Sequence, residues 1–355
     1  MRPMSSLRTG GAVRAGVLLA VAALLLLGLA AAWRGWRWLD VQWQQPGPAA
    51  SALRVQVAPG SRLRGVLTHL QRQGALQHAW AVEAYLRLHG RLPRIQAGVY
   101  ALGAHESARQ IITQLAEGRV LLSSITIVEG WTFDQMRAAL AADPDVQHDT
   151  RGLSDAQLMQ RLGHAGEPPE GRFFPDTYRF AAGSSDWRLL QMAYARMQAT
   201  LQADWSQRAA DLPLAGPAQA LTLASIIEKE TAREDERAKI AAVFVNRLRR
   251  GMRLQSDPTV IYGLGQRYDG SIHTRDLISD TPYNTYTRAG LPPTPIALPG
   301  AAALQAATHP AQSDALYFVA SGLPDGSHRF SATLGEHDIA VRSYLRRLGV
   351  AVQKP

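Results

Sequence analysis

Leu223-Ala-Ser-Ile-Ile-Glu-Lys-Glu-Thr231 runs apolar residues straight into two carboxylates. Read as an α-helix, positions three and four apart share a face. Counting back from Glu230 gives Ile227, Ile226 and Leu223, so Glu230 falls on the apolar stripe that turns towards an interior. Counting back from Glu228 gives Ser225 and Ala224, a weaker and more polar face. A carboxylate on a buried stripe either meets a cationic partner at the helix end or stays protonated near neutral pH through a raised pKa. The second alternative supplies a proton donor for a leaving group. The helix alone leaves both open, and structural pairing is the commoner outcome.

Outward from this helix, Arg237–Arg250 reads as another, with Ile240, Val243, Phe244 and Leu248 inward and Gly251 as its stop. Loops dominate beyond it. Gln255-Ser-Asp-Pro-Thr-Val-Ile-Tyr-Gly263 contains an X-Pro turn and a short helix. Thr281-Pro-Tyr-Asn-Thr-Tyr286 runs into Gly290-Leu-Pro-Pro-Thr-Pro-Ile-Ala-Leu-Pro-Gly300, where proline density fixes an extended path. Long ordered loops in compact domains tend to be functional. Leu316–Ala320 reads as a strand with His328–Phe330 as its hairpin partner, and Glu336–Leu348 as a final helix. On the N-terminal side, helices fit Asp155–Leu162 and Trp187–Trp205, and Glu170-Gly-Arg-Phe-Phe-Pro-Asp-Thr-Tyr178 packs three aromatics and a proline around an aspartate.

Further upstream, Val55 and Val57 alternate with polar residues before Pro59-Gly60-Ser61, and Leu63, Val66, Leu67 and Leu70 follow at helical spacing. Ser61 fits an N-cap. Helices over Ala79–His89 and Ser107–Glu117, the latter closed by Gly118, flank a strand over Ile95–Leu102. Ile125, Ile127, Gly130, Phe133, Met136 and Leu140 then repeat Val55, Val57, Gly60, Leu63, Val66 and Leu70 at one constant offset. Both segments read strand, glycine turn, amphipathic helix.

The N-terminus bounds where this chain works. Arg2, Arg8 and Arg14 precede an uncharged apolar run from Ala15 to Trp33, about the length of a transmembrane helix. The arginines favour a cytoplasmic N-terminus, and Trp33, Trp36 and Trp38 fit an aromatic belt at the far interface. The length of the run and the aromatics after it favour an uncleaved anchor over a signal peptide with Ala30-Ala31-Ala32 as its small residues. Trp43–Ser51 reads as a linker. The 355 residues include no cysteine, which suits an oxidising compartment. The net charge of +9 comes mostly from arginine, yet no finger spacing, RNP-like strand or dense basic block points to nucleic acid.

Metal chemistry is poorly supported, since His309, His328 and His337 lack zinc-helix spacing. No nucleophile elbow, Ser-x-x-Lys motif or phosphate-binding glycine loop occurs. Glycan chemistry fits best, because it needs a protonatable carboxylate, aromatic faces for sugar rings and polar groups for their substituents. Glu230 supplies the acid; Phe174, Tyr178, Tyr262, Tyr283 and Tyr286 supply faces; Gln255, Asp257, Asn284 and Thr285 supply polar contacts.

Taken together and in order, the N-terminal anchor, Phe174-Pro-Asp-Thr-Tyr178, Ala224-Ser-Ile-Ile-Glu-Lys-Glu-Thr231, Leu254-Gln-Ser-Asp-Pro-Thr-Val-Ile-Tyr-Gly263, Pro282-Tyr-Asn-Thr-Tyr286 and Gly290-Leu-Pro-Pro293 resemble the endolytic murein transglycosylase (YceG-like) family of bacteria. Arg172 and Leu298 depart from the family's pattern, where an aromatic or aliphatic residue and a polar residue are commoner. The resemblance implies an α+β architecture without a cofactor or metal: a cytoplasmic tail (1–14), an inner-membrane anchor (15–36), a linker (37–52), a LysM-like βα module (53–120) and a periplasmic mixed α+β catalytic domain (121–355). It implies cleavage within nascent peptidoglycan strands, with Glu230 as the catalytic residue. Glu228, Phe174, Asp176, Tyr178, Gln255, Asp257, Thr259, Tyr262, Tyr283, Asn284, Thr285 and Tyr286 are the expected substrate contacts. The expected partners are peptidoglycan glycan strands, the inner membrane and peptidoglycan synthases (penicillin-binding proteins). The alternative is a non-catalytic peptidoglycan-binding scaffold of the wall synthesis machinery.

Overall fold

A computed structural model describes residues 9–349. The chain divides into two compact units, one running to Ser123 and taking in Ala181–Gly183, the other comprising Ser124–Phe180 and the chain from Ser184 onward.

The first unit opens on a long helix, α1 (Thr9–Gln44), whose Arg14–Gln44 stretch is long and apolar enough to cross a membrane. β1 (Leu53–Val57), α2 (Leu63–Arg72), α3 (Ala79–Leu88), β2 (Gly98–Leu102) and α4 (Ala108–Glu117) follow. β1 and β2 pair antiparallel, with Leu53 opposite Leu102 and Val57 opposite Gly98. The inward residues of the strands, Val55, Val57, Tyr100 and Leu102, meet Leu67, Leu70, Leu86, Ile111 and Leu115 in one core. Ser107 and Gln110 form a reciprocal capping box on α4, and Gly118 closes that helix in the left-handed region at φ 68°.

Three local expectations shift. The helix of α1 continues through Trp43, because Trp38 stacks on Trp80 and Trp43 on Tyr85. It ends only before Pro46, which disfavours helix at the residue before it. Strand β2 starts at Gly98, later than expected, since the amide and side chain of Gln96 bond the carbonyls of Leu115 and Ala116 at the end of α4. Arg62 rather than Ser61 stands at the N-cap of α2, and the Ser61 hydroxyl donates to the Ala58 carbonyl.

The second unit carries β3 (Leu122–Thr126) except its first two residues, α5 (Phe133–Ala142), β4 (Val146–Gln147), α6 (Asp155–Arg161), β5 (Thr177–Ala181) except its last residue, β6 (Ser184–Ser185) and α7 (Asp186–Ser206). It continues through α8 (Pro217–Glu230), α9 (Glu234–Arg249), α10 (Asp257–Leu264), α11 (Thr274–Ile278), α12 (Ala301–Thr308), β7 (Tyr317–Ala320), β8 (His328–Ser331) and α13 (Leu334–Arg347). Its strands form only two-stranded pairs, β3 with β5, β4 with β6 and β7 with β8. The repeat seen in the sequence is present: β3 leads through Gly130 (φ 77°) into α5, with Ile125, Ile127, Phe133, Met136 and Leu140 buried.

Helices therefore supply the main core. Every residue of α8 from Ala220 to Ile227 is buried. Phe174, Met197, Ile240, Phe244, Leu304 and Ala307, contributed by α7, α9, α12 and the loop before β5, belong to the same cluster. A helix buried on all sides belongs in a core, and here it forms the axis on which α7, α9, α10 and α12 pack. The proline-rich segment lies over its C-terminal end. Pro292 and Pro295–Gly300 are buried, and Ser225 of α8 accepts the Ile296 amide at 3.0 Å.

Gly171 shows how tightly that segment is seated. Its φ is 78°, and a Cβ there would lie 2.4 Å from Pro295 Cβ. Gly171→Ala combines left-handed strain with overpacking, and each costs on the order of 1–3 kcal/mol. Urea unfolding of the variant should show a loss of at least about 2 kcal/mol with an unchanged m-value.

Candidate active site

Glu230 is the last residue of α8, with Thr231 as the extended C-cap. The neighbouring turns explain why a carboxylate can end this helix. The α8 axis is buried, but its final turn emerges beside the start of α10, and Glu230 keeps part of its surface open to solvent. Burial is nevertheless the largest influence on its carboxyl and raises its pKa from 4.5 to about 7. Asp257 adds to the rise, while a hydrogen bond from Ser256 and the Arg247 guanidinium oppose it. The negative pole of the α8 dipole also disfavours an anion at this helix end.

The Ser256 hydroxyl donates to Glu230 Oε1 at 2.5 Å. Ser256 occupies the N-cap of α10, where serine ordinarily turns its hydroxyl onto the helix's own amides. Here it makes no such bond and is committed to Glu230. The rest of Ser256 is fixed too. Its amide donates to Thr285 Oγ1 at 3.0 Å, and its carbonyl accepts from Thr259 Oγ1 at 2.7 Å. Thr259 and Thr285 share a further hydrogen bond at 2.8 Å. With the Thr259 proton given to the Ser256 carbonyl, Thr285 must be the donor in that pair. Ser256, Thr259 and Thr285 are at most 2% exposed, so this network is dry and rigid. Among the described residues no side chain other than Ser256 hydrogen-bonds the Glu230 carboxyl, which leaves Oε2 to carry a proton.

Arg247 supports the same corner from α9. It is 7% exposed and donates to the carbonyls of Leu316 (2.7 Å) and Leu254 (2.7 Å), just before the strained Gln255 at φ 49°. The Gln255 amide bonds the Thr285 carbonyl at 3.1 Å, leaving the side chain exposed beside Ser256. Asp257 is exposed and accepts from Tyr286 Oη at 2.5 Å, and that contact and burial raise the tyrosine's pKa.

Glu228 has a different task. Its side chain is 6% exposed, so the face expected to be the more polar one is covered. Glu228 Oε2 accepts the Gly300 amide at 2.9 Å, and Oε1 lies 3.7 Å from Arg237. With Ser225 one turn earlier, Glu228 clamps the proline-rich segment onto α8. Burial raises its pKa, opposed by the Gly300 amide.

The structure brings Glu230, Gln255, Asp257, Thr259, Thr285 and Tyr286 together. The Asn284 side chain, 1% exposed, is saturated by the carbonyls of Asp276, Leu277 and Ser279 and by the Tyr286 amide, so it shapes the loop from within. Phe174 and Tyr178 lie in the core, with Tyr178 Oη donating to the Phe174 carbonyl at 2.7 Å. Asp176 pairs with Arg196, whose guanidinium lies over the Phe174 ring. Tyr262 and Tyr283 meet edge to face at 4.9 Å, and both keep partial exposure. Of the two departures from the expected pattern, Leu298 is fully buried and pairs its backbone with Gly130 and Trp131, and Arg172 pairs with Glu167 at 3.0 Å.

A second buried carboxyl was not legible in the sequence. Glu170 accepts from the Phe133 amide at 3.0 Å and from Tyr262 Oη at 3.1 Å, and burial raises its pKa to about 7. It ties the first turn of α5 to the far end of α10, the helix whose near end holds Ser256.

The chain matches the YceG-like family over residues 55–343. It belongs to that family. It is 31% identical over 318 residues to a Bacillus subtilis (strain 168) protein named endolytic murein transglycosylase, an alignment covering 83% of this chain and 85% of that one. A Streptococcus pneumoniae (strain D39) protein of the same name is 28% identical over 325 residues, 82% of this chain and 58% of its own length. The crystal structure of a YceG-like protein from Listeria monocytogenes superposes with a TM-score of 0.50 at 28% identity, over 81% of this chain and 98% of that one.

Two outcomes follow for this YceG-like chain. Removing the Ser256 hydroxyl removes an interaction that holds the Glu230 pKa down, so Ser256→Ala should move the alkaline limb of the pH–rate profile to higher pH while lowering the maximal rate. Glu230 and Glu170 both titrate at about 7 when folded, against 4.5 unperturbed. The folded protein then binds more protons than the unfolded chain between those values, so stability falls as pH rises through that window. Melting temperatures should drop between about pH 5 and 8, and Glu230→Gln should remove part of that drop.

Proposed function

We propose that this chain is a membrane-anchored lytic transglycosylase that cleaves within nascent peptidoglycan strands, with Glu230 as acid and base in turn. The reading is carried by one observation: a carboxyl at a helix end, its pKa raised by burial to about 7, held by Ser256 on one oxygen and open on the other. Relatives named endolytic murein transglycosylase support the reaction class.

Protonated Glu230 donates to the oxygen that links a muramic acid residue to the next sugar. The C1–O bond breaks, and its electron pair leaves with that oxygen. The substrate's own 2-acetamido oxygen stabilises the positive charge at C1, so no second enzymic carboxylate is needed. Ionised Glu230 then accepts the proton of the C6 hydroxyl of the same sugar, whose oxygen bonds to C1 and forms a 1,6-anhydro end. No water is consumed and the Glu230 proton is restored. The short bond from Ser256 steadies Glu230 while it is anionic, and burial raises the pKa so that the carboxyl still carries its proton near neutral pH when the first step begins. Tyr262 and Tyr283, partly exposed, offer ring faces to the sugars, and Gln255, Asp257 and Tyr286 offer polar contacts.

In this reading α1 is an inner-membrane anchor with the N-terminus cytoplasmic, and residues 53–120 are a LysM-like glycan-binding module. Residues 121–355 are the periplasmic catalytic domain. New anhydro ends terminate strand growth, which makes peptidoglycan synthases the natural partners.

Glu230→Gln should lower strand cleavage by roughly 10²–10⁴-fold without loss of folded structure. Digestion of purified glycan strands with recorded product masses tests the chemistry. Products ending in 1,6-anhydromuramic acid are expected; ordinary reducing ends would mark a hydrolase, and binding without turnover would mark a scaffold.

A further inference from the structure

The aromatic belt of the anchor does not stop at α1. The uncharged run ends at Trp33, and Arg34 and Arg37 are the first charges beyond it. That run is close to the roughly 20 residues needed to cross the hydrocarbon, which places the boundary near Trp33. Trp38 lies five residues further, roughly 7–8 Å along the helix axis. The headgroup layer on one side of a bilayer is about 5–8 Å deep, so Trp38 falls at its outer part. The Trp80 ring stacks on Trp38 with centroids 5.2 Å apart, and the His78 ring lies 5.7 Å from it. Trp80 belongs to the folded part of the same unit, at the second position of α3, and is 61% exposed. The core of the unit is packed by Ala79, Val82 and Leu86 of the same helix, so Trp80 is not needed there.

We propose that the first unit rests on the membrane surface, with the start of α3 seated in the lipid headgroup layer and Trp80 as its inserted side chain. The proposal rests on reading α1 as an inserted anchor. Indole suits this layer, because its ring prefers an apolar contact and its N–H a wet one. The nearby charges suit an anionic surface. Arg34 and Arg37 stand at the boundary, and Glu83 of α3 is neutralised by Arg87 at 2.6 Å, which leaves Asp40, hydrogen-bonded by Gln44 at 2.8 Å, against two arginines. The occupant of the exposed Trp80 face is therefore lipid. Since Trp43 also stacks on Tyr85, the unit is held to α1 at two levels and follows the tilt of the anchor.

The absence of cysteine makes the test direct. Leu24→Cys, Trp80→Cys and Ala101→Cys variants of the full chain each carry one environment-sensitive fluorophore in nanodiscs of phosphatidylethanolamine and phosphatidylglycerol, with spin-labelled lipids quenching at shallow or deep positions. The Leu24 probe should lose most signal to the deep label, the position-80 probe to the shallow label, and the exposed Ala101 probe to neither. A deep Leu24 probe with an unquenched position-80 probe overturns the surface contact and leaves the anchor standing. A position-80 probe that is buried yet unquenched by either label assigns that face to protein and also overturns it. An unquenched Leu24 probe overturns the anchor reading, and the proposal with it. Matching circular dichroism spectra for the variants and the parent chain exclude unfolding as the cause.

Discussion

Helix α8 has no wet side between Ala220 and Ile227, and the site follows from that constraint. A helix surrounded by α7, α9, α10 and α12 must satisfy its polar groups internally or carry them to its ends. Thr222 and Ser225 do the first, donating to the carbonyls of Ala218 and Thr222. Glu228 and Glu230 do the second, in the final turn where the helix dipole is negative. Neither burial nor the dipole favours a charge there, so the carboxyl of Glu230 lowers its free energy by holding a proton. The same packing that stabilises the domain thus prepares an acid.

The two carboxylates of that turn are separated by what folds over them. The proline-rich segment crosses one side, is fixed by Ser225 and Glu228, and removes Glu228 from solvent. The start of α10 faces the other side, and its N-cap serine points at Glu230 instead of capping. Thr259 and Thr285 hold Ser256 by its carbonyl and amide, and Arg247 holds the carbonyls before it. At the opposite end of α10, Tyr262 is bonded to Glu170. One short helix is therefore tied at both ends to carboxyls whose pKa burial raises, and its placement sets the distance between Glu230 and the Tyr262–Tyr283 pair.

Much of this was legible along the chain. Apolar periodicity locates α8, α9 and α7, the constant offset exposes the repeated strand–turn–helix, and the stripe argument puts Glu230 on an inward face. Other features were hidden for a common reason. Ser256 and Glu230 are 26 positions apart, and Glu170 and Tyr262 are 92 apart. A hydrogen bond between distant segments leaves no periodic trace, and a serine before Asp-Pro reads as an ordinary cap. Asn284 and Thr285 look like substrate contacts because polar residues in a proline-rich loop suggest exposure, yet Asn284 is bonded within the loop and Thr285 to Ser256 and Thr259 at the start of α10. Likewise, the sequence around Trp43 resembles a linker, yet it is helical where Trp38 stacks on Trp80 and Trp43 on Tyr85.

By itself, the amino-acid order determined the long apolar N-terminal helix, the other helices and their buried faces, and the position of one glutamate on an inward stripe. These are local properties, set by spacing and by side-chain chemistry within a few turns. Tertiary structure alone decided that Glu228 clamps a loop while Glu230 keeps an open oxygen. It decided too that Ser256 bonds Glu230, and that Glu170 is another buried carboxyl with a raised pKa. Those outcomes depend on how much water each group loses and which distant donor reaches it, and both are fixed only when the segments pack.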